Sequence, residues 1–241
     1  METKKSNLLP WMTAILLIIG ISVIAAMYWM KNISVTGVEV SQTYFTLPEE
    51  IIQAADVPIG IKPDSLDLNQ LISRVELLDY VHSASPYIEP NGDLLLSIIE
   101  RSPLALLVDG KERIYVDAYG VKLPILEGKT LDLPLVYGFD ASSSSDTLES
   151  MEFEQIRNFL LEARANEFGW VTISEVVYSA DQGVIALSHE NGVKLVFGDN
   201  DFETKLRNWK AFYVEVVRTK GIQHIQQVDL RFKNQVVTQE T

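Results

Sequence analysis

Three histidines, His82, His189 and His224, are the side chains in this 241-residue chain best suited to hold a metal or relay a proton. They lie far apart in sequence, each in or beside a predicted strand, and none has a second ligand at i+2 to i+4. The chain has no cysteine, which excludes a disulfide framework, a thiolate-held zinc or iron–sulfur centre and a thiol nucleophile. No G-x-S-x-G elbow, S-x-x-K pair, P-loop or G-x-G-x-x-G is present. Gly198-Asp199-Asn200-Asp201 has the look of a calcium loop but lacks the glycine and distal glutamate of an EF-hand. It reads instead as a turn whose Asn200 or Asp201 caps a helix starting at Phe202. Glu76 and Asp79 have the types for acid–base work, yet 33 acidic residues make such pairs by chance. The four serines between Ala141 and Asp146 read as a solvated linker rather than as nucleophiles. These residues point to no catalysis, no metal and no cofactor.

A net charge of −13 disfavours nucleic acid as a partner. The mean hydropathy is nevertheless above zero, and the apolar residues responsible sit near the N-terminus. Leu8 to Met30 is 23 residues without a charge, long enough at 1.5 Å per residue to cross a hydrocarbon core of about 30 Å. Trp11 at one end and Tyr28 and Trp29 at the other fit the aromatic belts of a membrane helix, and Pro10 falls in its first turn. An uncleaved anchor over 10–30 is favoured over a cleaved signal peptide: the run is long, and Ala25-Ala26 is followed by Met-Tyr-Trp. Lys4 and Lys5 precede the span and only Lys31 closely follows it, which places residues 1–9 in the cytoplasm. The part beyond the anchor then carries 17 basic against 32 acidic residues, a net of −15.

Residues 32–101 read as a βααββ module. A strand opens at Ile33–Thr36 and resumes after Gly37 at Val38–Val40. Thr46 and Glu49 have capping-box spacing before a helix through Ile51, Ile52 and Ala55. Asp67 and Gln70 repeat that spacing, and Leu68, Leu71, Ile72, Val75 and Leu78 form one apolar stripe. Val81–Glu89 and Leu94–Ile99 are strands around a turn at Pro90-Asn91-Gly92-Asp93.

Residues 102–241 read as mixed, mostly antiparallel β structure with two helices. Strands are expected at Leu104–Val108, Arg113–Val116 and Val121–Leu126. A helix buries Ile156, Phe159, Leu160 and Ala163. Further strands follow at Trp170–Tyr178, Val184–Ser188 and Val193–Phe197, then a helix over Phe202–Val217 with Phe202, Leu206, Trp209, Tyr213 and Val216 at helical spacing. Two short strands near Ile222–Leu230 and Asn234–Val237 come last. With no reaction centre in view, the surface carries the argument. The segment Val228–Val237 is expected at a sheet edge, where unpaired N–H and C=O groups can accept a partner strand. Arg231 and Lys233 there read first as charges that prevent edge-to-edge aggregation, and second as a source of specificity for an acidic partner.

The anchor, the V-x-G strand Val35-Thr36-Gly37 and the βααββ module ending in Glu100-Arg101-Ser102-Pro103-Leu104-Ala105 occur in one order. Val116-Asp117-Ala118-Tyr119-Gly120, Lys194–Gly198 with Lys205-Leu206, and Asp229-Leu230-Arg231-Phe232 follow them. That order resembles the FtsQ/DivIB family of bacterial cell-division proteins over essentially the whole chain. Each motif is short, so the order weighs more than any one of them. The βααββ unit resembles the family's POTRA domain and residues 102–241 its β-domain.

The resemblance implies a non-enzymatic divisome scaffold in the cytoplasmic membrane, with its C-terminal domains outside the cytoplasm and enriched at the septum. It implies recruitment by upstream components through the POTRA domain. It also implies docking of a coiled-coil membrane complex of the FtsB/FtsL type, which regulates septal peptidoglycan synthesis, and contact with the septal synthase. Carried onto this sequence, the partner-binding residues are Arg231, Phe232, Asn234, Gln235, Val236 and Val237. Phe232 takes the place of the aromatic in the family's R-Y/F motif, with the alternative that it closes the core. Gln235 stands where many members have glycine, and a distal tryptophan seen in some is missing. A POTRA-bearing envelope transport or outer-membrane assembly factor is the alternative, disfavoured because no barrel-forming strands follow. A membrane-anchored cell-wall hydrolase is disfavoured by the empty site search.

Overall fold

The computed structural model describes residues 8–143, 147–233 and 235–240. The chain divides into two compact units, residues 1–100 and 101–241.

The first unit opens with α1 (Leu8–Asn32). Trp11–Tyr28 within it is exposed all round and is, among the described residues, the one helix long and apolar enough to cross a membrane. After it come β1 (Val38–Val40), α2 (Pro48–Ala55), α3 (Leu68–Val75), β2 (Val81–Ile88) and β3 (Leu94–Glu100). The sheet runs β1-β3-β2, with β1 parallel to β3 and β2 antiparallel to it. Alternation in β3 puts Leu94, Leu96 and Ile98 on the covered face and leaves Ile99 outside. They pack against Ile51 and Ala55 of α2, Leu71 and Val75 of α3, and Val35, Val81 and Ala84.

Asp67 caps α3 as the spacing predicts, its Oδ1 accepting the Gln70 N–H at 3.0 Å. The cap of α2 is shifted by one residue from expectation. Leu47, not Thr46, precedes the helix, and Glu50 Oε2 accepts the Leu47 N–H at 3.3 Å. Thr46 instead donates its N–H to Glu100. Pro48 has no N–H to give, so it fits the first helical position, where the reciprocal bond is not needed.

Among the described residues the second unit holds one nine-stranded mixed sheet. Its strands are β4 (Pro103–Asp109), β5 (Glu112–Asp117), β6 (Lys122–Leu123), β7 (Leu135–Tyr137), β8 (Ile173–Ser179), β9 (Gly183–Ser188), β10 (Lys194–Gly198), β11 (Ile225–Asp229) and β12 (Val237–Glu240). In space they lie in the order β12-β11-β10-β9-β8-β7-β4-β5-β6. The pairs β10–β11, β4–β7 and β7–β8 are parallel and the others antiparallel. The helices are α4 (Met151–Ala165), α5 (Glu167–Thr172) and α6 (Phe202–Phe212), the last continuing through a π-helical stretch at Tyr213–Val217 into α7 (Arg218–Lys220). Ile156, Phe159, Leu160 and Ala163 of α4 are buried as their spacing requires, with Leu206 and Trp209 of α6, Val176 of β8, Ala186 of β9 and Leu195 of β10.

Several expectations change here. Trp170–Thr172 is helical, because Asn166 Oδ1 accepts the Gly169 N–H at 3.0 Å and Thr172 Oγ1 donates to the Phe168 carbonyl at 2.7 Å. The domain therefore has short helices besides the two that were expected. The central strand β7 has no counterpart in the sequence reading. Asp201, expected as a cap, precedes α6 in a left-handed conformation (φ 51°) and makes no side-chain cap bond.

Candidate functional site

The far edge of the large sheet is where the expected partner-binding residues fall. β11 pairs with β10 on one side, Val228 opposite Leu195, and with β12 on the other, Val228 opposite Thr238. β12 is the terminal strand of the sheet order and, among the described residues, pairs only with β11. All four of its residues, Val237 to Glu240, are exposed. The edge therefore comes later than expected: the strand placed near Asn234–Val237 begins at Val237, and the described residues between Leu230 and Val236 lie outside any strand.

That connection is tied down at both ends. Leu230 is buried and donates its N–H to the Val196 carbonyl at 2.9 Å, while Val236 packs half-buried against the main core. Between them Phe232 is 44% exposed and outside any strand, so it does not close the core. Lys233 and Gln235 are exposed too, and Asn234 lies outside the described residues. Among the described expected residues, the structure brings Gln235 and Val236 to the rim of a groove of about 260 Å³ alongside α6. Its other walls are Asn208, Ala211 and Phe212 of α6, and Glu215 and Val216 of the π-helical stretch.

Arg231 is the residue whose place differs most from expectation. It stands beyond the end of β11, not on an edge strand, and closes onto Asp229. Its Nε donates to Oδ1 at 3.0 Å and to Oδ2 at 3.2 Å, its Nη2 to Oδ2 at 2.6 Å, and its backbone N–H to Oδ1 at 3.0 Å. Asp229 is only 5% exposed. Burial pushes its carboxyl pKa up, but the Arg231 guanidinium and N–H, helped by Lys194, outweigh that and hold it below the ordinary value. The stem of Arg231 crosses Gly198, where an added Cβ would stand 3.2 Å from its Cγ. Lys205, 8% exposed, has its Nζ on the Asn200 carbonyl at 2.5 Å, and burial lowers its pKa against the field of Asp201 and Asp199. The Gly198–Asp201 segment is thus held by a lysine of the helix it precedes, which is not the arrangement of a capped turn.

Sequence reasoning missed Thr238, Gln239 and Glu240, the greater part of the edge strand. A polar run of that length shows no alternation of apolar residues, so its strand character comes only from pairing with β11. The groove residues of α6 were also missed, because their faces depend on where the chain returns after β11.

The candidate residues of the chemical search are scattered. His82 is half-buried in β2, whereas His189 and His224 are exposed beside β9 and β11. Among the described residues no three His, Asp or Glu side chains gather as metal ligands.

The family described as FtsQ/DivIB, C-terminal related, matches residues 102–239. The "Cell division protein FtsQ" of Rhodothermus marinus is 30% identical over an alignment of 236 positions that covers 93% of this chain and 86% of that protein. Proteins of the same name from Salinibacter ruber and Geotalea daltonii are 26% and 29% identical, over 87% and 84% of this chain and 84% and 74% of theirs. The major extracytoplasmic domain of the trans isomer of the cell division protein DivIB from Geobacillus stearothermophilus aligns with 50% of this chain and 97% of its own, at 21% identity. Its TM-score is 0.34, too low to add to the fold described above. The family match across the large sheet and the 30% identity over nearly the whole chain lead to one conclusion: the chain belongs to the FtsQ/DivIB family of bacterial cell-division proteins.

Proposed function

We propose that the chain is a bitopic scaffold of the division machinery that works by holding partners together, not by turnover. Its N-terminus lies in the cytoplasm, α1 spans the membrane, and the remainder stands outside at the septum. Its β12 edge docks a small coiled-coil membrane complex of the FtsB/FtsL type, which passes the signal on to septal peptidoglycan synthesis. The observation that carries this reading is β12 itself, exposed at every residue and paired on one side only. An incoming strand exchanges water hydrogen bonds for protein ones, each worth about 0.5–1.5 kcal/mol net. A few such bonds with an apolar anchor reach about −8 kcal/mol, micromolar affinity. Partners tethered in the same bilayer need no more, because the tether raises their effective concentration.

The test uses the alternation of a strand. Adjacent residues point their N–H groups to opposite sides, so of Thr238 and Gln239 one faces a partner and the other faces β11. Thr238→Pro and Gln239→Pro, with Phe232→Asp, are compared with wild type in a membrane pull-down from the native host. Wild type recovers two small single-span coiled-coil proteins. The proline on the free side and Phe232→Asp lose them while the circular dichroism of the chain is unchanged. Recovery of the same partners by all three folded variants would show that β12 is not the docking edge.

A further inference from the structure

The Asp229–Arg231 pair lies where β12 is set into register. Asp229 ends β11 and faces Val196 of β10 on one side and Val237, the first residue of β12, on the other. Whatever fixes the backbone just after Asp229 fixes the direction in which the chain leaves β11. Arg231 does this from two residues along the same chain, through its backbone N–H and two guanidinium nitrogens on one buried carboxylate. Gly198, at φ 75°, clears the space for the arginine stem. Lys205 closes the far side, 3.6 Å from where a Gly198 Cβ would be.

We propose that Arg231 is a positioning residue for the β12 edge, and that it is not the contact an acidic partner reads. This rests on the docking role given to β12 above and assigns the partner contacts to Phe232, Gln235, Val236 and Val237. Two physical points favour it. The guanidinium is already matched to a carboxylate, so the pair presents little net charge to a partner. Its planar fork also makes several bonds at once, which a lysine ammonium cannot reproduce.

That difference makes the test. The full chain in lipid nanodiscs is followed by hydrogen exchange in the segment 235–240, with 183–188 as an internal control of the fold. Arg231→Lys, which keeps the charge and loses the fork, and Asp229→Asn both raise exchange in 235–240 at least tenfold, while 183–188 is unchanged. Unaltered exchange in 235–240 for Arg231→Lys overturns the proposal. So does a pattern in which Arg231→Gln loses the captured partner, Arg231→Lys keeps it, and exchange in 235–240 stays at the wild-type rate, because Arg231 is then a direct charge contact. Faster exchange in Arg231→Lys with undiminished partner capture sustains the positioning role and counts against the docking reading alone.

Discussion

Gly183 and Gly198 face each other where β9 and β10 meet, the two so close that a Cβ on Gly183 would run into the Gly198 backbone and stand 2.6 Å from Asp199 Oδ1. Gly183 also has φ 70°, a conformation that L side chains adopt only under strain. Gly183→Ala combines both costs and is expected to remove about 2–4 kcal/mol. Thermal unfolding followed by circular dichroism should show a midpoint lowered by roughly 10 °C. A midpoint within a degree of wild type would mean that the two strands can separate freely at this point.

The Asp117 side chain ties down the turn after β5. Its Oδ1 accepts the Tyr119 and Val121 N–H groups at 2.8 and 2.9 Å, and its Oδ2 the Arg101 Nη1 at 3.0 Å. Asp117→Ala leaves a guanidinium and two N–H groups unmatched and is expected to cost about 3–5 kcal/mol. Asp117→Asn retains an acceptor oxygen and should cost less, about 1–2 kcal/mol. Urea unfolding of both variants checks the order, and equal losses would contradict it.

Glu100 closes a ring of backbone donors at the end of β3. Its carboxylate accepts from the N–H groups of Tyr44 at 2.5 Å, Phe45 at 3.0 Å and Thr46 at 2.7 Å. The segment so held stacks Phe45 on Tyr80, ring centroids 4.2 Å apart. Burial raises the carboxyl pKa, but these three bonds outweigh it and set the value below 4.5. A carboxyl whose pKa is lower when folded stabilises the fold above its unfolded value and ceases to as pH falls through the folded one. Wild type should therefore lose stability below pH 4.5. Glu100→Gln should start lower at neutral pH and fall less on acidification. Parallel melting curves for the two proteins against pH would refute this.

Asp67 is the one side-chain cap of its helix, so Asp67→Ala should cost about 1 kcal/mol, read as a lower urea midpoint at unchanged slope. A changed slope would mean that the helix unfolds separately from its sheet.

Elements that carry their own local signals were legible. Asp67 with its apolar stripe marked α3, Pro90-Asn91-Gly92-Asp93 marked the hairpin of β2 and β3, and the Ile156–Ala163 spacing marked α4. Elements made by their neighbours were not. β7 is three residues between Pro134 and Gly138, too short for alternation to show, and it exists because β4 and β8 flank it in parallel. Val171 and Thr172 favour a strand by type, but the Asn166 cap and the Thr172 hydroxyl bond make them helical. At the candidate site Arg231 and Lys233 looked alike as edge charges. Only the turn of the chain after Asp229 gives the arginine, itself exposed, a carboxylate of its own chain.

The position of β12 also has a consequence in time. It follows every other strand in chain order and pairs with β11 alone, whose other neighbour is β10, itself resting on β9. A chain emerging N-terminus first can thus have most of its large sheet built while it still lacks the β12 edge. A partner that docks on that edge, as proposed above, would engage molecules whose earlier strands are already made and pass over those still lacking them.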